Sequence, residues 1–135
     1  MSVMYYPAVF HEDLEMGGYW VEFYDLPGCF SQGETIQEAI EYSKEALGLY
    51  LDTNQDIYER TISNPTRIQD VMKLFPNEIV LLVEYDPISY ARKHKTKAVK
   101  KTLTIPEWLN EEATSKGINF SQVLQEALIN KLMNM

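Results

Sequence analysis

Residues 99–135 constrain this chain most, because they make a unit of 37 residues that is too small to fold alone. The unit opens with KKTLTIP, where Leu103 and Ile105 alternate with Thr102 and Thr104, the period-2 pattern of a half-buried strand over residues 99–105. Pro106 stops the strand and suits the first position of a helix, PEWLNEEATSKG, with Trp108, Leu109 and Ala113 facing inward. Gly117 ends that helix as a left-handed cap. Asn119, with Gln122 at capping-box spacing, opens a second helix. Phe120, Val123, Leu124, Ala127, Leu128 and Leu132 give this helix a wide apolar face.

Such a unit needs metal, disulfides or oligomerisation to bury enough surface. The chain has one cysteine, Cys29, which excludes an internal disulfide and fits a reducing, cytoplasmic setting. The strand also has an open hydrogen-bonding edge. A two-fold homodimer answers both needs: strand 99–105 pairs antiparallel with its own copy, and four helices enclose one core. That core is expected from Leu103, Ile105, Trp108, Val123, Leu124 and Leu128, with Val99 and Lys101 on the same side near the strand's end. Lys100, Thr102 and Thr104 then face outward on a two-stranded ribbon. Such a ribbon fits the major groove of double-stranded DNA, where Lys donates to guanine acceptors and Thr bonds or touches a thymine methyl. The start of the second helix, with Asn119 and Ser121, offers free N–H groups suited to a phosphate.

The charge is unevenly spread. Residues 1–90 hold 16 Asp or Glu against 4 Lys or Arg, whereas residues 91–135 hold 8 Lys or Arg against 4 Glu. This asymmetry suggests two modules with partners of opposite sign. The boundary falls at residues 91–98, read as an exposed basic linker with four Lys or Arg and His94. The domains expected are therefore 1–90, the linker 91–98, and 99–135. No stretch approaches the roughly 18 apolar residues of a membrane span, and the N-terminus MSVMYYPAVF lacks the pattern of a secretory signal.

The acidic module reads as α+β. Residues 5–12 and 19–24 form a hairpin around Gly17-Gly18, Pro7 placing the first strand at an edge or near its own start. Asp25-Leu26-Pro27-Gly28 make a tight turn into a short strand at 29–32. Thr35 and Glu38 have capping-box spacing, and Ile36, Ala39, Ile40, Ser43, Ala46, Leu47 and Tyr50 form the apolar stripe of a helix lying on the sheet. Within the less legible 53–77, Pro65 and Thr66 are expected to open a short helix through Leu74. The continuous apolar run 78–85 reads as a returning strand, buried on both faces or central.

Catalytic signatures are missing. Gly28 and Gly33 flank Ser31 at the wrong spacing for a nucleophile elbow, and there is no glycine-rich phosphate loop. His11, His94 and Cys29 have no metal-ligand spacing, so no metal or cofactor is expected. Cys29 reads as a small packed hydrophobe, and His11 as a surface or satisfied residue. A two-metal nuclease needs several acids converging from strand centres. Here PAVF carries none, and the helix acids lie largely on a solvated face.

Residues 98–133, with the alternating strand, the Pro at the helix start and G-x-N-x-S before the second helix, resemble the ribbon-helix-helix fold of bacterial repressors of the Arc and MetJ type. Residues 5–90, with DLPGCFSQGETIQEAIEYSKEAL, resemble the N-terminal domain of HicB antitoxins, with the family motif falling on Asp25, Pro27, Gly28, Cys29, Gly33 and Glu34. This resemblance implies a degraded ribonuclease-H-like domain that binds HicA, a small basic RNA-cleaving toxin, and blocks its active site. It also implies a second domain that represses the operon. Some family members carry helix-turn-helix tails, so the ribbon-helix-helix assignment rests on this chain's own pattern. Gly and Pro of the motif are read as turn formers, while Asp25, Ser31, Gln32 and Glu34 are the candidates to face the toxin. The function expected is a non-enzymatic antitoxin and autorepressor acting on operator DNA as a homodimer, in a two-plus-two complex with toxin. The alternative is a transcription regulator whose N-terminal domain senses a small molecule.

Overall fold

The run YYPAVF is apolar at successive positions because it lies in the middle of a sheet with a helix on either face. The computed structural model describes residues 3–54 and 64–135, which divide into two units, Met1–Lys97 and Ala98–Met135. In the first unit, β1 (Met4–Glu12) pairs antiparallel with β2 (Tyr19–Phe23) and with β4 (Ile79–Tyr85), while β2 pairs antiparallel with β3 (Phe30–Gly33). The order across the sheet is β3-β2-β1-β4. Three helices complete the unit: α1 (Ile36–Asn54), α2 (Ile68–Leu74) and α3 (Pro87–His94).

Strand alternation sorts the core into two layers. Tyr6, Ala8, Phe10, Val21, Phe23, Val83 and Tyr85 pack with Leu47 and Leu51 of α1 on one face. Val9 and Val80 pack with Val71, Ile68 and Phe75 around α2 on the other. The run 79–85 is therefore an edge strand and not a central one. Its apolar continuity reflects a helix on each face, and Ile79 and Leu82, which neither helix covers, are half exposed. Pro7 lies opposite Leu82 but before the β2 pairing begins at Ala8, so its missing N–H falls where only one flank of β1 is paired.

The expected turn forms as read: the Cys29 N–H donates to Leu26 O at 3.0 Å, with Gly28 at φ 86°. β3 begins one residue later than expected, at Phe30. At the start of α1 the Glu38 N–H donates to Thr35 Oγ1 at 3.1 Å, and Glu38 Oε1 accepts from the Glu34 N–H at 3.4 Å, one residue earlier than in a regular capping box. A Cβ on Gly33 would lie 2.4 Å from the Ala39 nitrogen, so β3 can end beneath the first turn of α1 only without a side chain there.

The basic segment after β4 begins inside a helix. Asp86 caps α3, its Oδ1 accepting from the Ile88 N–H at 3.0 Å, and Arg92, Lys93 and His94 form the last turn. The expected exposure holds over 92–98, but residues 91–94 are helical, the last turn of α3. The expected opening at Pro65 and Thr66 shifts to α2 at Ile68.

In the second unit, α4 (Glu107–Ser115) follows Pro106, which stands at the N-cap and not at the first helical position. The Ile118 and Gly117 N–H groups donate to Ala113 O and Thr114 O, both at 3.1 Å, with Gly117 at φ 67°, a Schellman closure. Asn119 caps α5 (Phe120–Met133) by accepting from the Gln122 N–H at 3.1 Å. The Gln122 side chain donates to Glu126 and not back to the cap, so the capping box is only half formed. Residues 95–106 belong to no helix or strand in the single chain, so the strand expected over 99–105 is not formed here. No helix among the described residues is long and apolar enough to cross a membrane.

Candidate functional site

Among the described residues of the first unit, part of one sheet face stays uncovered. Along β2, Val21 and Phe23 are buried toward α1, which turns Trp20 and Glu22 to the opposite face. Register then places His11, Trp20 and Gln32 in one row across three strands, and Val9, Glu22 and Phe30 in the next. α2 covers Val9, but Trp20 stays 44% and Phe30 63% exposed.

His11 sits inside this face. Its ring stacks on Trp20 with centroids 3.9 Å apart and 15° between planes, and Phe75 meets it edge-on at 6.0 Å. Its Nε2 lies 3.3 Å from Glu22 and its Nδ1 3.4 Å from Glu78. This cross-strand packing is invisible to motif reading; only the β1–β2 register, with His11 opposite Trp20, would have found it. Beside Trp20 opens a cleft of about 390 Å³, lined by Gln32, Glu34, Glu38, Asp13 and Tyr42 among others.

The four residues expected to face a toxin are not equivalent. Gln32 and Glu34 are exposed, at the cleft and at the free edge of the sheet. Ser31 pairs with Val21 and so points to the α1 side, half buried. Asp25 is committed within the fold: the Thr66 N–H donates to Oδ2 at 2.9 Å and the Thr66 hydroxyl to Oδ1. It ties the β2–β3 turn to the segment leading into α2. Cys29 is buried, 3.7 Å from Ala46 O, and burial pushes its thiol up to about 12, a protonated group and no nucleophile.

The basic residues before the second unit are likewise engaged. Lys93 donates to Glu45, His94 Nε2 lies 2.7 Å from the same carboxylate, and Lys95 donates to Asp52 at 2.7 Å. The hydrogen bond from Lys93, followed by that from His94, holds the Glu45 carboxyl below its usual range. Residues 98–135 themselves carry four Lys against four Glu. The positive balance read over 91–135 belongs to the segment that pairs with α1.

Lys100, Thr102 and Thr104 are exposed, as is Ser121, while the Asn119 side chain is used as the α5 cap. Every residue of 98–135 except Ala113 is exposed. Trp108 is 66%, Leu103 55%, Leu128 53% and Val123 50% accessible, and Ile105 and Leu124 are likewise uncovered. The residues expected to form a dimer core lie bare in the single chain.

Similarity to known proteins runs in the same direction. The chain is 33% identical over 93 residues to a 14.9 kDa protein of the rep–hol intergenic region of Haemophilus phage HP1, a match spanning 68% of this chain and 67% of that one. It is 40% identical over 58 residues to antitoxin HicB 1 of Photorhabdus laumondii, covering 40% of this chain and 37% of that one. Less than two thirds of that curated antitoxin is therefore spanned. Among solved structures, a toxin–antitoxin complex from Streptococcus pneumoniae aligns with a TM-score of 0.56 at 28% identity, over 96% of this chain and 99% of that one. With the profile of the family described as HicB-like antitoxin of bacterial toxin–antitoxin systems matching residues 6–127, the chain belongs to that family.

Proposed function

We propose that this protein is an antitoxin whose first unit, of ribonuclease-H-like type, masks a small basic HicA-type toxin. Its second unit pairs with a copy of itself as a ribbon-helix-helix dimer that binds operator DNA and represses the operon. The observation that carries the dimer is the bareness of residues 98–135: two helices and the segment before them leave every residue but Ala113 exposed. Side chains such as Trp108 and Leu128 each stabilise by about 1.5–3 kcal/mol when fully buried, and a second copy supplies that burial. Pairing 99–105 with its own copy also supplies the absent hydrogen-bond partner.

On the toxin side, support comes from family membership, from the free β3 edge with Gln32 and Glu34, and from 16 acidic residues against 8 basic ones in residues 1–97. Ser31 and Asp25 act from behind, Asp25 by holding the turn that carries β3. On the DNA side, Lys100, Thr102 and Thr104 form the reading face, doubled by symmetry across a palindrome, with Asn119 and Ser121 placed toward phosphates.

Two measurements on the full chain test this. Light scattering should give twice the 15.7 kDa chain mass, and Leu128→Asp should reduce it to one chain. Gel shifts on the protein's own promoter should show sequence-specific binding that Thr102→Ala/Thr104→Ala relaxes by about 10-fold or more without dissociating the dimer. A monomeric wild type refutes the ribbon. A homodimer that binds its promoter but does not bind a HicA-type toxin shifts the reading to a ligand-sensing regulator.

A further inference from the structure

The Trp20 face is an exposed aromatic surface of the sheet with carboxylates around it. One side of the Trp20 ring is closed by the His11 imidazole, which the Glu22 and Glu78 carboxylates flank. Trp20 stays 44% exposed and lines the cleft together with Gln32 and Glu34. A ring held by stacking on one side and still partly exposed is a platform, because its accessible π surface attracts cations. The carboxylate of Glu34 at the cleft mouth gives a planar guanidinium a second, bidentate partner.

We propose that this platform is the anchor subsite for the basic protein partner, receiving an arginine side chain laid across Trp20 with its guanidinium toward Glu34. The inference rests on the reading of the first unit as toxin-binding and adds Trp20, outside the family motif, as the anchor beside Glu34. Charge complementarity selects the occupant: the acids beside Trp20 disfavour nucleic acid, and the aromatic pair Trp20 and Phe30 supplies the exposed rigid area found at the centre of protein interfaces. His11 is a positioning residue, fixing the Trp20 ring by stacking against it.

The test uses the full-length chain carrying Trp108→Phe, so that Trp20 is the sole tryptophan reporter, and a catalytically inactive HicA-type toxin as the probe. Binding should change Trp20 emission. Trp20→Ala should weaken affinity by about 30-fold or more, the range of an interface hot spot. Glu34→Arg, an exposed charge reversal that leaves the fold intact, should weaken it by at least 10-fold. Leu49→Ser, on the exposed part of α1, should change nothing. If wild type binds toxin but Trp20→Ala and Glu34→Arg bind as tightly, the platform is not the subsite, while the antitoxin reading stands. Loss of binding with Leu49→Ser alone would move the partner to the α1 side. If wild type itself does not bind, the antitoxin reading fails first.

Discussion

Replacing Gly48 by Ala should destabilise the first unit, although the same change stabilises most helices. Gly48 lies well inside α1, where Gly→Ala ordinarily gains about 1 kcal/mol. Here the space is filled by another helix: a Cβ would fall 2.2 Å from Tyr90 Cδ2 and 2.5 Å from its Cε2. The Tyr90 ring packs against the core, tilted 6.2 Å from Tyr85, and it carries α3 onto α1. Forcing a methyl group into such a contact costs about 1–3 kcal/mol. Set against the propensity gain, the net is a loss of about 0–2 kcal/mol, and each kcal/mol lowers the melting temperature of a unit this size by about 4–8 °C. Urea unfolding followed by Trp20 fluorescence in the Trp108→Phe chain would measure it. In a Tyr90→Ala background the clash is gone and Gly48→Ala should become stabilising by about 1 kcal/mol, a reversal of sign that measures a coupling of about 1–3 kcal/mol. Hydrogen exchange adds a local readout, since α3 amides should lose protection before those of β1. If Gly48→Ala raises stability with Tyr90 present, the ring does not occupy that notch and the docking of α3 described here is wrong.

Two further perturbations separate structural carboxylates from binding ones. Asp25→Ala removes two hydrogen bonds from Thr66 and should cost about 1–3 kcal/mol in unfolding free energy; unchanged stability together with lost toxin affinity would instead make Asp25 a contact residue. Glu45→Gln should flatten the acid limb of the stability curve. The Glu45 carboxyl is held low in the folded protein, so its contribution is present above the ordinary glutamate range and disappears as pH falls through the depressed value. The effect should be small because that carboxylate is 39% exposed. An acid limb identical in wild type and Glu45→Gln, measured by urea unfolding between pH 3 and 6, would mean that the Lys93 and His94 contacts contribute nothing in solution.

Legibility in the sequence followed the range of the forces involved. The DLPG turn, the Thr35–Glu38 cap, the α1 stripe and the Gly117 stop are each set by residues within a few positions, and each was read at or within a residue of its place. The position of 79–85 at the sheet's edge was not legible, because a strand flanked by helices on both faces shows the same apolar run whether central or not. α3 was missed for a related reason. PISYARKH has little apolar pattern of its own, and its partners Glu45, Asp52 and Gly48 lie about 40 or more residues away. His11 on Trp20 likewise depends on β1–β2 register. The role of residues 53–77 is legible only in part: α2 closes the second face of the sheet, and the remainder up to residue 63 lies largely outside the described residues.

Helix α3 also changes what charge can do for the second unit. Four of the eight basic residues after position 90 precede residue 98, and two of these, Lys93 and Lys95, are paired with α1 carboxylates. The remaining 98–135 is neutral overall, with its lysines at 100 and 101 set apart from the glutamates at 107, 111, 112 and 126. A neutral unit gains little from bulk attraction to a phosphate backbone, whose contribution grows with each cation placed against it. Recognition of DNA by such a unit must then come from position: a few cations and hydroxyls concentrated on one strand and doubled by two-fold pairing. In the proposed dimer, pairing of these bare apolar faces would bring Lys100, Thr102 and Thr104 together with their symmetry mates. On the proposed reading, dimerisation would be a condition for reading DNA as well as for burying the apolar faces of the second unit.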